Sequence, residues 1–196
     1  VMSNAKALVP AFLEDPDAIT PYRARWAMPL AASEGVALLW EALVAALPKA
    51  DKPSSRGAVV RALGSFREPA LVEQSLDLFL DDRIRSNEMW RILGPATDDE
   101  EIFANVTWPW FTKNYDAIVE KIGDKSAPRL PYIGGGFCSE EGKKTVEAFF
   151  ADRMLPGMER NLANTLEGID RCMISTAAME PAVKKLLTDT KAKDVK

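Results

Sequence analysis

Apolar residues recur along this chain every three to four positions rather than every two, so the pattern predicts helices throughout and no strands. Between Ser33 and Leu47, the residues Val36, Leu39, Trp40, Leu43, Val44 and Leu47 form an i, i+3, i+4, i+7 stripe. Ser33 is its predicted N-cap and Pro48 its stop. Lys49 to Ser55 reads as a polar connection, followed by a short helix from Ala58 to Leu63 that ends near Gly64. Glu68-Pro69 opens another helix, with Pro at the first position, where its missing N–H costs least. Leu71, Val72, Leu76, Phe79 and Leu80 supply the buried face.

A helix is predicted from Asn87 to Leu93, ending at Gly94-Pro95, and Thr97-Asp98-Asp99-Glu100 spells a capping box for the next. Ile102, Phe103, Val106 and Trp110 share one face; Pro109 predicts a kink or break beside Trp108, after which Tyr115, Ile118, Val119 and Ile122 resume the stripe. The chain then loosens around Pro128, Pro131 and Gly134-Gly135-Gly136. Ser139 starts a helix carrying Val146, Phe149 and Phe150; Met158, Leu162, Leu166, Ile169 and Met173 stripe another, and Val183, Leu186 and Leu187 a last one. The tail from Thr188 is expected to fray, with 191–196 outside the fold. Roughly ten helices joined by short turns predict an all-α protein. We expect one helical domain over 1–196, an irregular α-α superhelix of stacked pairs in the manner of HEAT or armadillo solenoids, in preference to a compact bundle.

Composition narrows the chemistry. The 25 Lys and Arg are set against 29 Asp and Glu, a net charge of −4, which leaves no basic field for nucleic acid or anionic lipid. The longest apolar run, from Gly35, is broken at Glu41 and ends at Leu47, short of the ~20 residues that span a membrane. A soluble chain is expected, and no secretory signal is read at the start, where Ser3-Asn4-Ala5 resembles a cloning remnant. Cytoplasmic and exported locations both stay open. The chain has no histidine, which rules out a Ser-His-Asp triad, a Cys-His dyad and the usual His-ligated zinc site. Cys138 and Cys172 fit neither a CxxC site nor a dense disulfide framework and read as two ordinary thiols.

Each constellation that could carry chemistry has a structural explanation. Gly134-Gly135-Gly136-Phe137-Cys138-Ser139 is glycine-rich and precedes a helix, but it lacks the Gly-Lys-Ser/Thr of a phosphate loop and the strand before a dinucleotide fingerprint. Ser139 is better read as an N-cap and the glycines as a flexible connection. Trp108, Trp110 and Phe111 offer a stacking platform or, at helical spacing, a core. Glu100, Glu101, Glu140 and Glu141 sit in first turns, where the helix dipole accounts for them without acid–base work. The segment from Lys184 to Lys196, with five lysines and two aspartates, reads as a solvated tail.

Several segments stand in the order of a known family. Ala62-Leu63-Gly64-Ser65-Phe66-Arg67-Glu68-Pro69-Ala70-Leu71 resembles "ALG-x-F-x-D-P-x-L", and Leu76-Asp77-Leu78-Phe79-Leu80 its following leucine-rich helix. Trp108-Pro109-Trp110-Phe111-Thr112-Lys113-Asn114-Tyr115-Asp116-Ala117-Ile118 is similar to "W-x-W/F-x-x-x-N-W-D-x-I". Gly136-Phe137-Cys138-Ser139 with Val146-Glu147-Ala148-Phe149-Phe150 resembles "G-F-x-S... E-I-x-x-F-F", and Leu162-Ala163-Asn164-Thr165-Leu166-Glu167-Gly168-Ile169 resembles "L-A-Q-x-L-E-x-I". Together they resemble the C-terminal helical domain of the aminopeptidase N and puromycin-sensitive aminopeptidase family of zinc metallopeptidases. The likeness covers 58–190, whereas 1–57 match in pattern alone. Asn87-Glu88 departs from the family's Gln-Asp, and Tyr115 stands where Trp is usual.

The resemblance implies a division of labour. In that family an upstream domain holds zinc through H-E-x-x-H and a downstream Glu, and binds the substrate amine through G-x-M-E-N. This chain contains neither motif. It is therefore expected to have no catalytic, cofactor-binding or metal-binding residue of its own and not to be an enzyme alone; substrate contacts are unassigned. Zinc belongs to the parent's catalytic domain, which is the expected partner together with peptide substrates, and nucleic acid and membrane are not. The implied role is to cap the catalytic chamber and gate it. The alternative is a free-standing solenoid adaptor that binds a peptide on its concave face, with Trp108 and Trp110 as anchors.

Overall fold

A computed structural model describes the backbone of residues 1–194 and the side chains through residue 187. Among the described residues it holds eleven α-helices and no strand, so the chain is all-α. The chain divides into two compact units, Val1–Ala127 and Pro128–Lys196.

In the first unit, α1 (Met2–Glu14) packs on α2 (Pro21–Ala32), α2 on α4 (Pro53–Leu63), and α4 on both α3 (Ala37–Ala46) and α6 (Met89–Leu93), with α5 (Pro69–Leu80) also against α6. Ser3, Asn4 and Ala5, the apparent remnant, are helical, and Ala5 is buried. Two helix starts change. Ser33 closes α2, its hydroxyl donating to the Leu30 carbonyl, so α3 starts only after Val36, which is exposed. The next helix begins earlier than its stripe: Pro53 occupies the first position of α4, turning Pro53 to Ser55 from connection into helix. The Glu68 cap holds, its carboxylate accepting from the N–H groups of Ala70 and Leu71, and Leu71, Val72, Leu76 and Phe79 are buried as their spacing predicts, while Leu80, at the helix end, is half-buried.

A buried ion pair lies where three segments of this unit meet. Arg56, on α4, donates through Nε to Glu88 Oε1 at 2.7 Å and through Nη2 to Oε2 at 3.0 Å. The same guanidinium donates to the carbonyls of Leu47 and Arg83, and the Arg85 N–H donates to Glu88 Oε2. Only 8% of Arg56 and 4% of Glu88 is exposed. Burial pushes the Glu88 carboxyl up, but the hydrogen bonds from Arg56 and Arg85 and their charges outweigh it and hold the group below its ordinary 4.5.

Further along, α7 (Glu100–Ile102) is capped by Asp99, which accepts from the N–H groups of Glu101 and Ile102. Thr97, the residue predicted for that role, donates to the Gly94 carbonyl instead. The kink expected at Trp108-Pro109 is a π-helical turn over Phe103–Thr107 that runs into α8 (Trp108–Lys113); the break comes at Asn114, before α9 (Tyr115–Ile122).

A 3₁₀ run, Ala127–Gly136, begins at the last residue of the first unit and supplies the opening residues of the second, where a flexible connection was expected. Ser139 caps α10 (Glu140–Ala151) as predicted, accepting from the Gly142 N–H. The two helices expected after Met158 are one, α11 (Glu159–Asp194), and it accommodates Pro181. Val183, Leu186 and Leu187 on it are exposed. The backbone is helical through Asp194, and the last two residues of the expected frayed tail, 195 and 196, lie outside the described residues.

Removing one partner of the buried pair, by Arg56→Ala or Glu88→Ala, leaves an uncompensated charge and is expected to cost about 3–5 kcal/mol in urea unfolding. The double change Arg56→Met with Glu88→Leu should cost less than either single one, because no charge is then stranded. Because the folded pKa of Glu88 lies below the unfolded one, its contribution is whole above 4.5 and is lost as pH falls through the folded value. Urea midpoints measured from pH 6 to pH 3 should therefore fall less steeply in the double variant.

Candidate functional site

The aromatic segment was the first candidate, and the fold buries it. Trp108 is 6% exposed, Trp110 4% and Phe111 fully buried. Neighbouring rings run in sequence: Phe103 to Trp108 with centroids 6.1 Å apart, Trp108 to Phe111 at 5.5 Å, and Phe111 to Tyr115 edge-on at 5.8 Å. Trp110 Nε1 donates to Asp77 Oδ1 at 2.7 Å, which ties α8 to α5. These residues are core. The adaptor reading loses the anchors it relied on, since a ring with no exposed face cannot hold a peptide.

The acidic candidates are equally accounted for. Glu100 and Glu101 fill the first turn of α7 and Glu140 and Glu141 that of α10, on separate units. The glycine loop is packed against its own unit. A Cβ at Gly134 would come 2.8 Å from both methyls of Val146, so the backbone lies directly on α10 and leaves no cradle for a phosphate at that point. Around it, Tyr132 donates its hydroxyl to Asn161, Asn161 donates to the Pro128 carbonyl, and Lys143 pairs with Asp170 at 2.8 Å.

The cysteines contradict the sequence reading. Cys138 and Cys172 form a disulfide that joins the Gly-Phe-Cys-Ser loop to α11, and no free cysteine is found among the described residues. Spacing could not show this: the pair lie 34 positions apart, and only the return of α11 past the loop brings the sulfurs together.

The fold also assembles a site that no motif announced. Arg25 on α2, Arg61 on α4 and Arg91 on α6 line one cleft of about 450 Å³ with Tyr22 and Ser54, and no carboxylate lines it. Arg25 and Arg61 also line an adjoining cleft of about 410 Å³, where Trp26 and Arg67 face Asp98 and Asp99. The guanidinium of Arg91 lies across α4 at Gly57, where a Cβ would stand 3.2 Å from its Nε. Mid-helix Gly costs about 1 kcal/mol relative to Ala, and here it makes room for that side chain.

Among the described residues no three His, Cys, Asp or Glu side chains group as a metal site, and the sequence has no histidine. Nor is any described helix long and apolar enough to cross a membrane.

A family profile for the ERAP1-like C-terminal domain matches residues 1–171. The chain belongs to that family. The match extends over the first 57 residues, which carry none of the motifs quoted above. Among individual proteins, the chain is similar to Aminopeptidase M1-C of Oryza sativa subsp. japonica, 28% identical over 132 residues, covering 66% of this chain and 15% of that protein. It is similar also to the mitochondrial Aminopeptidase 2 of Saccharomyces cerevisiae, 28% identical over 120 residues, or 57% of this chain and 12% of that one. Aminopeptidase M1 of Arabidopsis thaliana is 25% identical over 133 residues, 66% and 15% of the two chains. The chain thus spans less than a fifth of these relatives' length.

For this ERAP1-like domain, thiol titration of the unfolded protein should give no free thiol before reduction and two after it. In the chain-entropy account, a cross-link over a loop of 34 intervening steps contributes roughly 3–4 kcal/mol. Cys138→Ser with Cys172→Ser should lower the stability of the second unit by up to that amount, read from the urea transition.

Proposed function

We propose that this chain is the non-catalytic C-terminal domain of a zinc-dependent aminopeptidase, closing and gating the chamber in which the parent holds peptides. The observation that carries the reading is the profile match over residues 1–171, joined to relatives that are named aminopeptidases and of which this region is only a small part. Zinc, the general base and the amine-binding loop then belong to a separate catalytic domain of the parent. That domain is the partner of this one, and peptides are the ligands enclosed between them.

Stacked helices suit the role. Layers such as α1 on α2, α2 on α4 and α4 on α6 present a broad continuous surface and can shift by shear without unfolding, which is what a wall of a closing chamber requires. Enclosure would restrict the parent to peptides small enough to enter, and the curved, HEAT-like form expected from the sequence would supply the concavity.

Two assays test the proposal. The chain alone, with added zinc, should show no hydrolysis of an aminoacyl chromogenic substrate. A parent lacking residues 1–196 should lose discrimination between short and long peptides, seen as a changed ratio of kcat/KM values. Zinc-dependent turnover by the chain alone, or unchanged selectivity in the truncated parent, would refute it.

A further inference from the structure

We infer that the cleft lined by Arg25, Arg61 and Arg91 is a binding site for the acidic side chains of a peptide. The three residues come from α2, α4 and α6, helices that pack in succession, so the stacking of the unit itself brings their charges to one cleft.

The arginines are not engaged elsewhere. Among the described residues none of the three makes an ion pair or a side-chain hydrogen bond; the one contact of this kind is that of Arg25, whose guanidinium lies 5.8 Å from the Trp26 ring centroid. The helices supply no partner either. Positions three and four away from Arg25 are Pro21, Tyr22, Met28 and Pro29, and those around Arg61 are Gly57, Ala58, Gly64 and Ser65. Glu88, three before Arg91, is committed to Arg56. In a chain with more acids than bases, three cations gathered in one cleft without a lining carboxylate are an exception to the mixed surface.

The chemistry of the lining selects the ligand. Guanidinium groups present planar forks that match carboxylates bidentately, and Tyr22 and Trp26, 76% and 62% exposed, offer apolar faces beside them for the rest of a peptide. Gly57 keeps Arg91 flat on α4, so that the fork is pre-placed at the cleft. That the carboxylate arrives on a peptide rests on the proposed function; the positive cleft does not. Phosphate shares the same affinity for arginine, and the experiment separates the two.

The test uses the full chain and two fluorescent heptapeptides, one with adjacent internal Glu residues and one with Gln in their place. Both are amidated at the C-terminus so that no terminal carboxylate competes. Fluorescence anisotropy at 50 mM NaCl should show the Glu peptide binding at least tenfold more tightly, with affinity falling at 200 mM. Arg61→Gln and Arg91→Gln should each weaken it about tenfold and Arg61→Lys less, with circular dichroism confirming that each variant is folded. Equal binding of the two peptides, or binding insensitive to these substitutions, would overturn the assignment, as would tripolyphosphate binding, read by calorimetry, to a protein that fails to bind the Glu peptide. None of these outcomes bears on whether the truncated parent loses size selectivity, so the two proposals fail separately.

Discussion

Arg56 and Glu88 are the pair on which the first unit depends. A guanidinium taken out of water is tolerable only if its donors are occupied, and Arg56 satisfies this with both oxygens of Glu88 and the carbonyls of Leu47 and Arg83. The acceptors come from two stretches of chain other than its own. Leu47 follows α3, Arg83 and Glu88 lie between α5 and α6, and Arg56 stands on α4. One side chain thereby fixes the spacing of four helices, and the two carbonyls it reaches lie outside the α-helices, Leu47 in a 3₁₀ turn and Arg83 in the turn after α5. An apolar residue could fill the space but could not satisfy those carbonyls, and buried acceptors left without a donor cost stability.

The rest of the unit extends from that point by the same device, a side-chain donor anchored on a neighbouring helix. Trp40 donates to Ser75, Trp110 to Asp77, and Lys121 to the Asp81 carbonyl, so α3, α8 and α9 are each tied to α5 or the residue that closes it. The π-helical turn before α8 belongs to the same economy of fit. One wide turn lets Phe103 and Thr107 stay buried while Trp108 and Phe111 rotate into the core, and Thr107 steadies it by donating to the Ala96 carbonyl.

Local patterns in the sequence were legible wherever a decision was local. The Glu68 and Ser139 caps, the stripe of α5 and the core role of Trp108, Trp110 and Phe111 all follow from neighbours within four positions. Where two local signals competed, the reading erred: Ser33 and Thr97 both resemble N-caps, but each hydroxyl finds a carbonyl three residues back, leaving Val36 and Asp99 to begin the helices. What was illegible is non-local. Arg56 reaches Glu88 across 32 positions, Cys138 reaches Cys172 across 34, and Arg25, Arg61 and Arg91 share a cleft only because α2, α4 and α6 pack in order. None of these has a periodic signature, although Arg56 beside the apolar run from Ala58 to Leu63 was a clue, because a long charged side chain entering a buried face needs a partner.

The missing histidines acquire their meaning from this inventory. Every strongly engaged polar group in the two units is spent on geometry: an ion pair that spaces helices, carboxylates that cap them, indoles that bridge them, a disulfide that holds a loop to α11. A catalytic centre needs the opposite, groups held short of satisfaction so that substrate can complete them. The arginines of the α2–α4–α6 cleft are charged and accessible, with no carboxylate in that cleft's lining, yet guanidinium is a poor acid and base near neutral pH. Such groups can hold and orient a ligand but cannot move its protons. What that cleft offers a ligand is therefore shape and fixed positive charge, set by the packing of three helices rather than by any one of them.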